Sequence, residues 1–267
     1  MKKIILTVAG ALVLASCATN PVTGRKSLSL VSNADLFPTA YNQYSQILKQ
    51  GKVITGTADA KMVQTVGERL KYAAEKYYQE KGISSQLQGY QWQFTLLNAN
   101  EVNAWCMPGG KVAVYSGILP VTKDATGLAV VLGHEIGHAL AGHSAEQASQ
   151  QMAAQGLGQI VGGSIGNAEY AKVFEQLYPV GAQVGLLNYS RKMELDADVT
   201  GLYLMAMAGY DPSQAIPFWE RMAAKSGNAG VSEFLSTHPS DATRMAKIKE
   251  ALPTALAYYN ASPYKEK

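Results

Sequence analysis

This chain has only two cysteines and four histidines, and its charge is close to balanced; each shortage excludes something. Cys17 has a separate assignment, given below. Cys106 is then a lone thiol, so no internal disulfide framework holds the fold, and it reads as a small buried hydrophobe. The 23 basic and 20 acidic residues are interspersed, which leaves no stripe suited to nucleic acid and no polybasic patch for a membrane surface. No internal repeat and no long low-complexity run is present. Residues 148–168 lack charge altogether, but five glutamine or asparagine side chains and the glycines at 156, 158, 162, 163 and 166 argue against a membrane span. That stretch, 156–166 above all, reads as a mobile flap or hinge.

The amino terminus carries a targeting pattern. Met1-Lys2-Lys3 is cationic, and Ile4 to Leu14 is apolar yet too short to cross a bilayer comfortably. Leu14-Ala15-Ser16-Cys17 resembles a bacterial lipobox, which implies cleavage before Cys17 and a lipid on that cysteine. Ala18 follows, with no aspartate to signal inner-membrane retention, so the expectation is an outer-membrane lipoprotein facing the periplasm. Loss of 1–16 would leave 21 basic and 20 acidic residues. The expected organisation is a signal peptide at 1–16, a lipidated cysteine and linker at 17–32, one domain at 33–260 and a tail at 261–267.

What the chain does have is His134-Glu135-Ile136-Gly137-His138. Residues four apart share a helix face, so both imidazoles reach one metal ion, with Glu135 beside its open position. Zinc lowers the pKa of a bound water, and a neighbouring carboxylate that takes the proton yields a nucleophile for a peptide carbonyl. The apolar run Leu128 to Leu132 and the start signal Thr122-Lys123-Asp124 place the motif on a buried helix. One zinc ion per chain is therefore expected.

A third ligand must come from elsewhere. His143 lies five residues after His138, about 140° round a continuing helix, and reads as a packed or surface histidine. The metzincin spacing would need histidine at position 144, which is Ser144. Ser190 to Asp198 offers Glu194 and Asp198 on one helix face. One would bind metal and the other orient a ligand imidazole, but spacing does not say which.

Around this core, Thr57 to Lys81 has amphipathic helical spacing ended by Gly82. Tyr90 to Leu97 reads as a strand with Trp92, Phe94 and Leu96 on one face, and Val112 to Tyr115 as a second. From Asp124 onward the pattern is mostly helical. The fold class expected is α+β, mainly helical, with a small sheet.

Taken in order, the lipobox, Asn103-Ala104-Trp105, Pro108-Gly109-Gly110, the HEIGH helix, Glu194 with Asp198, and His238-Pro239 with Arg244 form a series. In this the chain resembles the peptidase family forty-eight metalloendopeptidases, whose branches include the CAAX prenyl endopeptidases, HtpX and the BepA- and LoiP-like proteases. The resemblance implies a zincin domain of gluzincin type, with zinc on His134, His138 and Glu194 and with Glu135 as base. It makes Asp198 the partner of a ligand histidine and places His238 near the metal as oxyanion donor or as a lock on the open position, with Arg244 anchoring its loop. It also implies that an edge strand, taken as Val112 to Tyr115, lines the cleft and pairs with extended substrate. Asn103, Ala104, Gly109, Val112 and Val114 are then the substrate-binding candidates. Trp105 and Cys106 depart from the phenylalanine and small residue frequent in relatives. The implied activity is hydrolysis of unfolded or misassembled cell-envelope proteins from a lipid tether, with outer-membrane assembly machinery as a further partner. The rival is an assembly chaperone with a latent zinc site.

Overall fold

The computed structural model describes residues 17–155, 172–176, 189–225, 227, 229–239 and 241–265. The signal-peptide segment 1–16 and the glycine-rich stretch 156–166 lie outside the described residues.

Two short strands, β1 (Cys17–Thr19) and β2 (Lys26–Leu28), pair antiparallel. Helix α1 (Phe37–Gln50), strand β3 (Val53–Ile54) and helix α2 (Ala58–Glu80) follow. Strands β4 (Gln93–Leu97), β5 (Ala104–Met107) and β6 (Lys111–Tyr115) complete a four-stranded sheet in the order β3-β4-β6-β5. The described remainder is helical: a single turn at Leu119–Thr122, then α3 (Ala125–Leu140), α4 (His143–Ala154), α5 (Arg191–Met207), α6 (Ala215–Ala224), α7 (Ala229–Thr237) and α8 (Ala242–Ala261). This is the mainly helical α+β fold that the sequence pattern implies, and among the described residues no helix is long and apolar enough to cross a membrane.

Strand alternation builds two cores. Phe94, Leu96, Ala104, Cys106, Val112 and Val114 face α2, α3 and α5, while Trp105, Met107 and Ala113 face Tyr44 and Ile47 of α1 and Ala148 and Met152 of α4. Thr57 caps α2 by accepting the Ala60 amide at 3.1 Å, and Val63, Val66, Leu70, Ala73, Ala74 and Tyr77 form its buried stripe. Burying a leucine such as Leu70 completely contributes roughly 1.5–3 kcal/mol.

Two expectations are corrected here. Val112 to Tyr115 is not an edge: β6 lies between β4 and β5, hydrogen-bonded on both sides. The edge strand beside α3 is β5, because the chain doubles back at Pro108 to Gly110 and runs antiparallel outside β6. Val112 and Val114 therefore have no free backbone edge to offer a substrate. The segment 17–32 is also more than a linker. The Asn20 side chain accepts the amides of Val22 and Thr23 at 2.8 and 3.1 Å, closing the turn that leads into β2, and Arg25 ties that turn to α4 and α5.

Candidate active site

Asp124 caps α3 by accepting the Gly127 amide at 2.9 Å, and the helix runs buried through both histidines to Leu140. Its partner is α5, and the two approach at glycine. A Cβ on Gly201 would lie 2.6 Å from the carbonyl carbon of Gly133 and from the amide nitrogen of His134, and a Cβ on Gly137 would lie 2.9 Å from the Ala197 carbonyl oxygen. Backbone contact of this kind sets the carboxylates at 194 and 198, one turn apart, directly against the imidazoles at 134 and 138. They are not a solvated helix start: Glu194 is 1% exposed and Asp198 4%.

The donor atoms converge. Nε2 of His134 lies 3.0 Å from Nε2 of His138 and 3.4 Å from Oε2 of Glu194, and Nε2 of His138 lies 3.3 Å from Oε1 of Glu194. Nδ1 of His238 joins them, 3.3 Å from Nε2 of His134 and from Oε1 of Glu194. A tetrahedral zinc with bonds of about 2.0–2.2 Å separates its donors by roughly 3.3 Å, so this set fits the ion. Oε1 of Glu135 is buried without a hydrogen bond and faces the same cluster, 3.6 Å from Nε2 of His238.

Asp198 stands behind the cluster. It accepts from Nδ1 of His134 at 3.0 Å and from Nε and Nη2 of Arg244, both at 2.6 Å. Nη1 of Arg244 reaches the Pro239 carbonyl at 3.1 Å and lies 3.2 Å from Glu194, so one guanidinium holds Asp198, the His238 loop and Glu194. Trp219 packs under that guanidinium at 4.4 Å and edge-on to His134 at 5.5 Å.

The electrostatics follow from burial and neighbours. Burial pushes Glu135 above the usual carboxylate range, opposed by His238 and His134. Glu194 is driven the other way: burial would raise it, but His238, His134 and His138 hold it well below that range. Asp198 is likewise held low, with Arg244 and His134 outweighing burial. In the metal-free cluster burial opposes protonation of His134, yet Asp198 and Glu194 raise its pKa to about 9, while burial drives His138 down.

Of the other candidates, Ala104 begins the edge strand and Asn103 precedes it, its carbonyl accepting the Tyr115 amide at 3.0 Å. Hydrogen-bonded and non-bonded pairs alternate from there, which leaves the backbone of Ala104 and Cys106 pointing to the open edge. Gly109 has φ +82° in the β5–β6 turn, and a Cβ there would lie 2.3 Å from the Tyr41 hydroxyl, so its geometry is that of a turn residue. Cys106 is buried, its thiol pushed up by burial and by the nearby Glu135, and it stands outside the metal cluster. Cys17 is exposed at the start of β1.

Tyr189 and Trp219 near the site escaped sequence reasoning, whereas His143 is packed, one of the two readings given for it. Gly142 takes φ +69° and breaks the helix, so the angle argument applied to a continuing helix does not govern His143. His143 is fully buried with Nδ1 2.8 Å from Nδ1 of His138. The glycine after Leu140 was the available signal. Tyr189 stacks on His138 at 4.0 Å, and neither it nor Trp219 carries a local sequence mark.

A paired-histidine turn completed by a carboxylate from a second helix, over a small sheet with an antiparallel edge strand, defines the zincin class of metallopeptidases. Within that class the chain belongs to Peptidase family M48, whose model matches residues 64–252. The enzymes of this family are zinc metalloendopeptidases. The mitochondrial metalloendopeptidase OMA1 of Schizosaccharomyces pombe is 42% identical over 165 residues, covering 61% of this chain and 48% of that protein. Its human counterpart is 30% identical over 245 residues, 89% of this chain and 46% of that protein. The beta-barrel assembly-enhancing protease of Yersinia pestis is 32% identical over 179 residues, 61% of this chain and 36% of that protein. The chain thus spans about half or less of the length of these relatives.

The expectation of a bacterial outer-membrane location facing the periplasm is overturned by these matches, since relatives from yeast, plant and human are named mitochondrial.

Proposed function

We propose that the chain is an endopeptidase that cleaves unfolded or misassembled proteins in extended conformation, with zinc held by His134, His138 and Glu194. The observation that carries this reading is Oε1 of Glu135, a buried carboxylate oxygen without a hydrogen bond beside a donor set spaced for zinc. Zinc, when bound, polarises both the scissile carbonyl and the attacking water. Glu135 takes the water proton and returns it to the leaving amine, and its burial raises its basicity for that task. Asp198 holds the His134 ring by its Nδ1–H, and Arg244 fixes Asp198 in turn. The open edge of β5 offers the backbone of Ala104 and Cys106 to an extended chain, which gives affinity with little side-chain selection. The assembly-enhancing relatives support misassembled proteins as the substrate class. Casein digestion by the purified chain, with and without chelator, tests the reading. Digestion that persists after complete zinc removal would sink it.

A second reading rests on His238. Its Nδ1 stands among the metal donors, 3.3 Å from Nε2 of His134 and from Oε1 of Glu194, where it would take the position that water needs. In that reading the site is latent, and the chain binds misassembled clients until the loop carrying His238 withdraws. Holding of an unfolded client by Glu135→Gln at wild-type strength favours it; loss of holding removes it.

A further inference from the structure

Arg25, Asp196 and His143 carry no part of the chemistry above, yet they stand in series behind a zinc ligand, with Nε2 of His143 buried, without a hydrogen bond, and facing Asp196. Nδ1 of His138 faces Nδ1 of His143 at 2.8 Å, and Nε2 of His143 lies 3.5 Å from Oδ2 of Asp196. Asp196 accepts the Nε–H of Arg25 and, on its other oxygen, the Thr23 hydroxyl at 2.6 Å. Arg25 is held from its far side by Glu146, with bonds of 2.9 and 2.6 Å from its two terminal nitrogens. His143 is fully buried, and Asp196 and Glu146 are 4% and 7% exposed.

Proton placement gives the path a direction. Of two facing Nδ1 atoms only one carries the hydrogen. Nε2 of His138 belongs to the donor cluster, so its hydrogen is on Nδ1 and Nδ1 of His143 must accept it. The hydrogen of His143 is then on Nε2, toward the Asp196 carboxylate. The negative charge of Asp196, 3.5 Å from Nε2 of His143, favours that tautomer of His143, which in turn selects the tautomer of His138 that leaves Nε2 free. The second ligand is served the same way but by a shorter route, His134 to Asp198 to Arg244. Each ligand imidazole is backed by a chain that ends in an arginine, one from α8 and one from the amino-terminal hairpin.

We propose that Arg25 and Thr23, acting through Asp196 and His143, are positioning residues for His138, so that the amino-terminal hairpin is a working part of the metal site. The proposal rests on the zinc reading given under Proposed function.

The test measures zinc affinity of the full chain by competition with a chromophoric chelator, with circular dichroism and thermal melts as a check on folding. Asp196→Asn keeps the shape but turns an amide NH2 toward a donor, and His143→Ala removes the link. Each is expected to weaken zinc binding by about 10–100-fold in a folded protein. The double variant is expected to be no weaker than His143→Ala alone, because both act along one path. Arg25→Gln, at a side chain 20% exposed, should weaken zinc in the same direction with the fold intact, and Arg25→Lys should recover part of the loss. Additive losses in the double variant, or wild-type zinc affinity in folded Asp196→Asn and Arg25→Gln, would overturn the proposal. A wild-type chain that binds no zinc would bring down the proposed function and this inference together, whereas a zinc-binding wild type with unaffected variants removes the inference alone.

Discussion

Oε1 of Glu135 and Nε2 of His238 face each other at 3.6 Å across the mouth of the donor cluster. The carboxylate comes from α3 and the imidazole from the loop between α7 and α8, more than a hundred residues apart in sequence, and their separation bears on how the site works.

Replacing Glu135 by Gln keeps the shape of the side chain and removes its basicity. Zinc content should stay at the wild-type level while peptide hydrolysis falls by about 10²–10⁴-fold, the usual contribution of a positioned base. Metal analysis beside a fluorogenic peptide assay reads both. Full activity in the zinc-loaded variant would end the mechanism.

His238→Ala removes one of the four converging donors and opens a path to Glu135. Hydrolysis of a short peptide is expected to rise severalfold with zinc retained. A fall in activity at unchanged zinc content would instead make His238 an oxyanion donor.

Gly201 is in backbone contact with α3, so Gly201→Ala must push the two helices apart. Overpacking of this kind costs about 1–3 kcal/mol. Because the same approach sets Glu194 and Asp198 against the histidines, zinc affinity should drop along with the melting temperature. An alanine variant with wild-type zinc affinity would show that the helices tolerate the shift.

The metal-free protein holds a proton on His134, whose pKa is raised from 6.5 to about 9 by Asp198 and Glu194 against the opposing effect of burial. A folded-state pKa above the unfolded one stabilises fully below about pH 6.5, and that stabilisation is lost as the pH rises through 9. The metal-free protein should therefore melt at lower temperature as pH rises across that window. Zinc replaces the same proton, and His138 is already neutral, so zinc uptake near pH 7.5 should release about one proton, with the release falling away as the pH passes through 9. Calorimetry in buffers of different ionisation enthalpy measures it, and equal heats in all buffers near neutrality would contradict it.

Much of the site was legible because its parts are local. The HEIGH spacing, the Asp124 cap, the alternation through Phe94 and Leu96 and the stripe along α2 all follow from helix and strand periods that operate within a few residues. The same local rules reach only as far as Gly142, where one residue in a left-handed conformation resets the direction of the chain before His143. They also could not order the strands. The local pattern marks two strands, Tyr90 to Leu97 and Val112 to Tyr115, and it is the pairing of β5 on the far side of β6 from β4 that makes β6 interior.

The amino-acid sequence by itself determined that two imidazoles and a carboxylate occupy one helical turn, because that spacing is a property of the helix alone. Tertiary structure decided the rest of the site. Which of Glu194 and Asp198 enters the donor cluster depends on how closely α3 and α5 approach at Gly133 and Gly201. That Arg25 stands at the far end of a path to His138 depends on a hairpin folding back over 171 positions of sequence. No local period encodes such contacts; they exist only once the packed core has fixed the helices and the hairpin against one another.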